Sequence, residues 1–319
     1  MPQDPSTFVS SIWKEGIFND RVVFCTGGAG TICSAQVRAL VHLGANACII
    51  GRNEEKTKRM AADIATARPG AKVLGIGNVD VRSLDSLTSA VESCISELGQ
   101  IDYVIAGAAG NFLSPISTLS SNAFRTVLEI DLLGSYNTLK ATLPHLLSSA
   151  ARNPSTPIPS PSPRTGGRII FISATFHFTG MPFQSHVASA KAGVDALSAS
   201  VALEYGPRGI TSNVISPGGI EGTEGMERLS SKADRDAGSV AKPVPLGRLG
   251  RVKEIADATV YLLADTGDYV SGHVLVVDGA AWRLPGGLAT MTGGRGYPEI
   301  VLGEDMVPKD AKSGRRAKL

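Results

Sequence analysis

Short apolar segments alternate with amphipathic helical stretches along most of this chain of 319 residues. The first such segment is Val22–Cys25 and the last is His273–Val277. Most neighbouring segments are separated by about 10–25 residues with helical periodicity. Short strands joined by helices pair side by side in a parallel sheet that helices cover on both faces. Residues 21–283 are therefore predicted to form a single doubly wound α/β domain with a mostly seven-stranded parallel sheet.

The individual elements follow from the same periodicity. The predicted strands are Val22–Cys25, Ala47–Ile50, Val73–Ile76, Tyr103–Ala106, Arg168–Ile172, Ile210–Ile215 and His273–Val277. One long helix is predicted over Asn122–Leu147, and another carries Lys191 and ends at Tyr205. Three segments do not fit the pattern: an irregular lead-in at 1–20, a Pro/Ser-rich insertion loop at 153–167, and a flexible tail at 284–319.

The composition excludes some classes of partner. Hydrophobic residues make up 43% of the chain and charged residues 19%, as in a globular protein. A net charge of +2 gives no reason to expect nucleic acid or an anionic membrane as a partner. No apolar run reaches the ~18 residues that a membrane span needs. The four cysteines have no CxxC spacing, so we expect buried free thiols and no metal site.

The tail closes with Ala317-Lys318-Leu319, a close variant of the Ser-Lys-Leu peroxisomal address. Basic residues and a Gly/Lys-rich stretch precede it, as a signal read by a receptor requires. The sequence therefore predicts recognition by the peroxisomal import receptor and localisation in the peroxisome.

A glycine-rich turn, Thr26–Cys33 (TGGAGTIC), lies between the first strand and the first helix. Glycines allow the backbone to approach a ligand closely, and a helix N-terminus offers free N–H groups and partial positive charge. This context predicts a dinucleotide site in which Gly27, Gly28, Thr31 and Ile32 hold the pyrophosphate.

The residues after the second strand indicate which dinucleotide is bound. An Asp or Glu at this position holds the ribose 2′-hydroxyl of NAD, whereas an Arg accommodates the 2′-phosphate of NADP. Gly51-Arg52-Asn53 has no carboxylate before Glu54, and a guanidinium binds phosphate in bidentate geometry. The sequence favours NADPH; the alternative is that Arg52 is a solvated loop residue.

Up to the helix that carries Lys191, the chain resembles the short-chain dehydrogenase/reductase family. The usual site of that family combines Asn, Ser, Tyr and Lys, with the last two arranged as Tyr-x-x-x-Lys on one helix. The four corresponding places here hold Asp131, Ala174, Val187 and Lys191. Because Val187 has no proton to give, an ordinary ketone reductase is disfavoured.

Four segments resemble a narrower group, the peroxisomal 2,4-dienoyl-CoA reductases. They are Ala108–Leu113, Asp131, His186–Ala192 and Pro217–Gly225, and the turn TGGAGTIC is similar to the fungal branch. The resemblance extends from about Gly16 to Trp282. It implies NADPH-dependent reduction of a 2,4-dienoyl-CoA to trans-3-enoyl-CoA in peroxisomal β-oxidation. It also implies a homo-oligomer formed through the long helices.

The resemblance further implies roles for single residues at the reacting centre. Asp131 and Lys191 would polarise a water that delivers a proton to carbon. Asn111 would donate its amide to the thioester oxygen. Lys191 would also hold the nicotinamide ribose, while Asp80 with Val81 would contact the adenine. Pro217, Gly218 and Ile220 would close over the nicotinamide carboxamide.

For the acyl-CoA substrate, the resemblance implies a second set of residues. Arg82 and Arg228 would bind the phosphates of coenzyme A, Ser120 and Asn122 the pantetheine, and Phe112 the acyl chain. Structural alternatives exist, because Ser120 and Asn122 are also ordinary helix caps and an aromatic such as Phe112 is also a core residue.

Other interpretations stay open. Asp131 could belong to a structural network, and His186 is not expected to be catalytic because its side chain points elsewhere on its helix. The chain could reduce another conjugated acyl thioester, for instance in fungal secondary metabolism. The losses at Ala174 and Val187 also suggest a catalytically inactive nucleotide-binding scaffold, although a retained Asp131–Lys191 pair argues against it.

Overall fold

Seven parallel strands form one sheet in the computed structural model, which describes residues 3–153, 166–229, 241 and 244–284. The strands are β1 Val22–Thr26, β2 Asn46–Ile50, β3 Val73–Ile76, β4 Tyr103–Ala106, β5 Arg168–Ile172, β6 Thr211–Pro217 and β7 Val274–Val277. Their order is β3-β2-β1-β4-β5-β6-β7, so the strand order reverses direction at β1. The predicted doubly wound α/β fold is confirmed. In such sheets ligands bind outside the carboxyl ends of the strands at the point of reversal.

Nine helices in the described ranges connect or flank these strands. They are α1 Thr31–His42, α2 Glu54–Ala65, α3 Leu84–Leu98, α4 Ser121–Leu128, α5 Gly134–Arg152, α6 Phe176–Thr179, α7 Ser185–Tyr205, α8 Glu224–Leu229 and α9 Val252–Leu263. Their starts follow from local chemistry: the Ser83 hydroxyl accepts from Ser86 N at 3.2 Å and caps α3. No helix among the described residues is both long and apolar enough to cross a membrane.

The core has two layers, one on each face of the sheet. On one face, α1 and α9 bury side chains such as Leu40 and Val260. On the other face, α3, α5 and α7 bury side chains such as Val91, Leu146 and Val194. Because both faces are covered, the central strands carry apolar residues in both directions. The four cysteines are buried with free thiols within these layers.

The long helix predicted over Asn122–Leu147 is present as helical backbone from Ser121 to Arg152, but it contains a π-helical turn that the sequence analysis did not predict. The segment is α4, then a π-helical turn at Glu129–Leu133, then α5. Apolar periodicity cannot reveal such a turn, because a π turn adds a single residue and leaves the apolar pattern on either side intact. At its end, Gly134 lies against Val81: a Cβ there would be 2.6 Å from Val81 Cγ2.

The irregular lead-in packs on the domain. Apart from a 3₁₀ turn at Pro5–Thr7, residues 3–20 form no helix or strand, but Phe8 and Phe18 are buried. Residues 154–165 of the predicted insertion and all of 285–319, including Ala317-Lys318-Leu319, lie outside the described residues. The predicted boundaries of these segments stay predictions.

Candidate active site

The glycine-rich turn brings backbone to the carboxyl end of β1. Gly27 has φ +67°, a left-handed conformation that favours glycine. At Gly28 a Cβ would lie 2.5 Å from Ile49 Cβ of β2, so only glycine fits between the turn and the sheet. The turn therefore leaves an open cleft above β1 and β2, lined by Gly27, Gly30, Gly51, Arg52, Asn53, Lys56, Asp80, Val81, Ala108 and Ala109.

The start of α1 faces this cleft and is suited to an anion. Its N-cap is Gly30, which makes no side-chain capping bond. The first N–H groups of the helix, at Thr31 and Ile32, therefore have no side-chain acceptor from the cap. A helix start with free N–H groups binds phosphate, which fits the pyrophosphate of a dinucleotide.

The residues after β2 present cations and no competing carboxylate. Arg52 lines the cleft, and Asn53 caps α2 by accepting from Lys56 N at 2.8 Å. The nearest carboxylate, Glu54, is turned toward other partners: it accepts from Asn78 Nδ2 at 2.7 Å and pairs with Lys58 at 2.5 Å. Lys58, and secondarily Asn78, hold the pKa of Glu54 below its usual range. The end of β2 therefore carries cationic side chains at the cleft, and Glu54, the next carboxylate in sequence, is engaged by other partners.

Asp80 and Arg82 are paired with each other at the cleft. The guanidinium Nη2 of Arg82 lies 2.6 Å from Asp80 Oδ2, and Arg82 N donates to Asp80 Oδ1 at 3.0 Å. The bond from Arg82 holds the pKa of Asp80 below its usual range despite partial burial. Asp80 and Val81 line the cleft, and their contact with the adenine stays a prediction. The pairing leaves Arg82 fewer free donors for a coenzyme A phosphate.

Residues 217–220, at the end of β6, form a loop that backbone hydrogen bonds tie to neighbouring segments; we call it the strapped loop. Gly218 N donates to Val277 O at 3.0 Å, and Gly250 N donates to Gly219 O at 2.9 Å. A Cβ on Gly218 would lie 2.6 Å from Asp278 Cβ. The side chain of Ile220 is buried in the core. The proposed contact of Pro217, Gly218 and Ile220 with the nicotinamide carboxamide stays a prediction.

The centre of the site is a buried ion pair. Lys191 Nζ of α7 lies 3.0 Å from Asp131 Oδ2 in the π-helical turn, and it also donates to Ile172 O at 3.0 Å. Gly110 N donates to Asp131 Oδ1 at 2.7 Å. Both charged side chains are at least 93% buried. A buried pair with one carboxylate oxygen facing the ammonium is a suitable holder for a reacting water.

The segment after β4 lies next to this pair. Asn111 has a buried Oδ1 with no hydrogen-bond partner among the described residues. Phe112 is 38% exposed and stacks on His186 with ring centroids 4.3 Å apart, so it is not a core residue. His186 is fully buried and donates from Nε2 to Phe112 O at 3.0 Å. Burial lowers the pKa of His186. His186 thus contacts the Phe112 backbone, and its expected lack of a catalytic role stays a prediction.

The predicted coenzyme A residues are less well defined. Ser120 caps α4, its hydroxyl accepting from Ala123 N at 3.2 Å, and Asn122 is exposed in the first turn. The backbone of Arg228 lies in α8, and nothing is described of its side chain. These substrate roles stay predictions.

The place of the family tyrosine is filled by packing. Val187 is 3% exposed and forms a small apolar cluster with Val127 and Ala190, against which Phe176 packs. The loss of the phenol is therefore compensated sterically. No group of three or more His, Cys, Asp or Glu in the described ranges could hold a metal ion.

Sequence reasoning missed a second pair of titratable side chains near Lys191, formed by His177 and Asp195. His177 Nε2 lies 2.9 Å from Asp195 Oδ2, and both side chains are almost buried. Burial raises the pKa of Asp195, although Ser173, His177 and Lys191 oppose this. Asp195 follows Lys191 by four residues in α7, so the same helix face carries both. This four-residue spacing is the sequence feature from which the position of Asp195 near Lys191 could have been predicted.

Comparison with known proteins agrees with this fold and site. The family model described as enoyl-(acyl carrier protein) reductase matches residues 27–280. The chain is 46% identical to the peroxisomal 2,4-dienoyl-CoA reductase, (3E)-enoyl-CoA-producing, of Saccharomyces cerevisiae, covering 91% of this chain and 92% of the relative. It is 37% identical to the enzyme of the same name from Danio rerio, with 85% and 84% covered. The crystal structure of levodione reductase matches with TM-score 0.74 and 26% identity, over 83% of this chain and 99% of that one.

A doubly wound sheet with a dinucleotide cleft at its point of reversal defines a nucleotide-dependent oxidoreductase. The chain belongs to the short-chain dehydrogenase/reductase family. Members of this family use a nicotinamide cofactor, and the uncapped helix start and glycine turn described above fit one.

Proposed function

We propose that this protein reduces 2,4-dienoyl-CoA to trans-3-enoyl-CoA with NADPH. The observation that carries the proposal is the buried Asp131–Lys191 pair beside a tyrosine place filled by Val187. The names of the yeast and zebrafish relatives support the same activity. A buried charged pair without a phenol is the arrangement expected where a proton is delivered to carbon and none to an alkoxide.

The chemistry needs no phenol. The nicotinamide supplies hydride, which adds to the δ-carbon of the dienoyl chain. The electron pairs shift toward the thioester, so that a double bond forms between the β- and γ-carbons and negative charge reaches the thioester oxygen. A proton then adds at the α-carbon. The protein has to stabilise that oxygen and to supply that proton.

The residues of the site can carry both tasks. The side-chain Nδ2 of Asn111 is the proposed donor to the thioester oxygen; the buried Oδ1 of the same amide, which has no partner among the described residues, can only accept. Asp131 and Lys191, 3.0 Å apart, are proposed to hold the water that gives up the proton. Gly110 N fixes the carboxylate from the other side.

A substrate panel tests this activity. NADPH consumption is followed at its absorbance band with 2,4-hexadienoyl-CoA, crotonyl-CoA and acetoacetyl-CoA, and the product double bond is located by NMR. Turnover of the dienoyl thioester alone, with a trans-3-enoyl product, is expected. Preference for another conjugated thioester would replace the proposal by the broader reductase alternative. No turnover of any would favour an inactive nucleotide-binding protein.

NADPH is the proposed cofactor because Arg52 lines the cleft and Glu54 is occupied by Lys58 and Asn78. We expect a much higher kcat/KM with NADPH than with NADH. Arg52→Ala should raise the KM for NADPH and leave that for NADH nearly unchanged. Arg59→Ala, an arginine in the middle of α2, is the control. Equal kcat/KM for the two cofactors in the wild type would refute this preference.

The coenzyme A end of the substrate is proposed to lie near Ser120, Asn122 and Arg228, with Arg82 contributing any donor that Asp80 leaves free. Binding of coenzyme A alone to the Arg82→Ala and Arg228→Ala variants, measured by calorimetry, tests these two cations. Unchanged affinity in both would remove them from the site.

Peroxisomal localisation is proposed from the names of the relatives, with Ala317-Lys318-Leu319 as the signal that the import receptor reads. A fluorescent protein fused at the amino end leaves the tripeptide free. Deleting the tripeptide should change a punctate pattern to a diffuse one; an unchanged punctate pattern would remove this signal.

A homo-oligomer is proposed through α4, the π-helical turn and α5. An apolar groove runs along them, and Leu133 and Tyr136 are 42% and 45% exposed. Tyr136→Glu should reduce the molar mass measured by light scattering. An unchanged mass would place any interface elsewhere.

A further inference from the structure

The residues proposed for the reaction lie in a row along the carboxyl edge of the sheet. Asn111 follows β4, Lys191 donates to the last residue of β5, the strapped loop at 217–220 follows β6, and Trp282 follows β7. These strands are neighbours in that order. If the thioester oxygen lies at Asn111 and the δ-carbon faces the nicotinamide, the atoms beyond the δ-carbon point toward the β7 side.

Two aromatic side chains stand on that side. Phe178 in α6 and Trp282 after β7 have ring centroids 5.2 Å apart, and the Cζ of Arg283 lies 3.9 Å from the Trp282 ring centroid. Phe178 is 47% exposed, although the polar groups of its neighbour His177 are buried. The half-exposed ring of Phe178, in the short helix that follows β5, is an apolar surface available to a ligand.

The segments that carry this aromatic pair contact the strapped loop and α7. Asp278 accepts from Ala280 N at 2.9 Å and from Trp282 N at 2.8 Å, and it packs against Gly218 of the strapped loop. On the other side, His177 contacts Asp195, one helical turn after Lys191. The backbone of Trp282 is therefore tied to the strapped loop, and the residue before Phe178 is tied to α7.

We propose that Phe178 and Trp282 form the wall on which the hydrocarbon tail beyond the δ-carbon packs, and that this wall sets a preference for longer acyl chains. The proposal rests on the proposed function. Every methylene that leaves water against the rings adds favourable free energy, so a longer tail gains more than a short one. The wall acts on chain length and has no part in proton transfer.

Chain-length profiles test the wall. The ratio of kcat/KM for 2,4-decadienoyl-CoA to that for 2,4-hexadienoyl-CoA is measured in wild type, Phe178→Ala and Trp282→Ala. We expect the ratio to fall on the order of tenfold in both variants, through loss with the long chain. Trp282→Phe keeps an aromatic ring, so it should retain most of the wild-type ratio. Tyr269→Ala removes a fully exposed aromatic that precedes β7 at the opposite edge, and it should leave the ratio unchanged.

A binding measurement separates this proposal from the proposed reaction. The chain has two tryptophans, and Trp13 lies on α9 with its Nε1 bonded to Asp257. In a Trp13→Phe variant the fluorescence of Trp282 alone is followed during titration with decanoyl-CoA or acetyl-CoA, in the presence of NADP. A blue shift with decanoyl-CoA and none with acetyl-CoA is expected.

The outcomes differ for the two hypotheses. An active wild type whose chain-length ratio survives both alanine variants overturns the wall and leaves the reaction standing. A fluorescence shift that is equal for the two ligands, or absent for both, also overturns it. A decanoyl-specific shift in a protein that reduces no dienoyl-CoA supports the wall and refutes the reaction.

Discussion

The two residues of this site whose burial has the largest desolvation cost are Asp131 and Lys191, which form the buried ion pair. Removing an ammonium and a carboxylate from water costs several kcal/mol each, and their attraction recovers this only with good geometry and additional hydrogen bonds. Here the additional bonds are present: Gly110 N serves Asp131, and Ile172 O serves Lys191. Such a pair is weak evidence for stability and stronger evidence for a chemical role.

Replacing Asp131 by Asn tests that role. The amide keeps an acceptor for Gly110 N but loses the charge, so kcat with 2,4-hexadienoyl-CoA should fall by ~10²–10⁴-fold. The dissociation constant of NADPH, measured by fluorescence titration, should stay near that of the wild type. Lys191→Ala should damage both quantities, because Lys191 also holds the ribose in this proposal. Near-wild-type turnover in Asp131→Asn would show that the carboxylate is structural.

Restoring a tyrosine at Val187 should not help. Val187 is packed among Val127, Ala190 and Phe176, so a phenol there overfills the cluster, with a loss of about 1–3 kcal/mol in the free energy of unfolding. Because the proton is needed at carbon, turnover of 2,4-hexadienoyl-CoA should not increase. Thermal melting and the NADPH assay measure the two effects, with Val187→Ile as a control of similar polarity. A rise in turnover would contradict the proposed proton path.

At the scale of elements, the strands were predictable because each one is a short apolar run bounded by turns. The structure extends β1 by one residue and confirms β3, β4 and β5 at the predicted limits. Short helices were not predictable: α6 has four residues, too few for periodicity to register. The same reason hid the aromatic Phe178 and its neighbour His177 from the sequence analysis.

The strapped loop after β6 gives a prediction at this scale. Gly218→Ala would place a Cβ 2.6 Å from Asp278 Cβ and 2.8 Å from its Cα, so the loop must move. We expect the KM for NADPH to rise about tenfold or more, since misplacement by about 1 Å has effects of up to ~10²-fold. Gly206→Ala is the control, because nothing lies within 4 Å of a Cβ there. Equal behaviour of the two variants would show that the loop tolerates displacement.

At the scale of the whole molecule, the lead-in is tied to α9 across almost the full chain. Asp257 accepts from Ser10 N at 2.9 Å, from Trp13 Nε1 at 2.9 Å and from Lys253 Nζ at 2.7 Å. Burial raises the pKa of Asp257, but these donors outweigh it and hold the pKa below its usual range. No local pattern in residues 1–20 could have predicted this, because the partner is 247 positions away.

This contact predicts a pH-dependent contribution to stability. A carboxyl whose pKa is lowered in the folded protein stabilises it above its unfolded pKa of about 3.9, and the contribution is lost as the pH falls through the folded pKa. Asp257→Asn should lower the free energy of unfolding at pH 7 by about 1–2 kcal/mol. The difference from wild type should shrink as the pH falls below about 3.9 toward the lowered pKa of Asp257 in the folded protein. Urea unfolding at several pH values measures it, with the exposed Glu92→Gln of α3 as a control. A difference that stays the same size as the pH falls below about 3.9 would assign the effect to packing.

The π-helical turn at Glu129–Leu133 makes the active site sensitive to insertion or deletion of a single residue, an effect that substitutions do not reveal. An α-helix advances by about 100° per residue, so removing one residue from the turn would restore a regular helix and rotate everything before it relative to α5. Asp131 would then leave the face that meets Lys191, although no functional side chain had been changed. In this protein, therefore, the number of residues in the π-helical turn matters for the Asp131–Lys191 pair as much as the identity of the carboxylate itself.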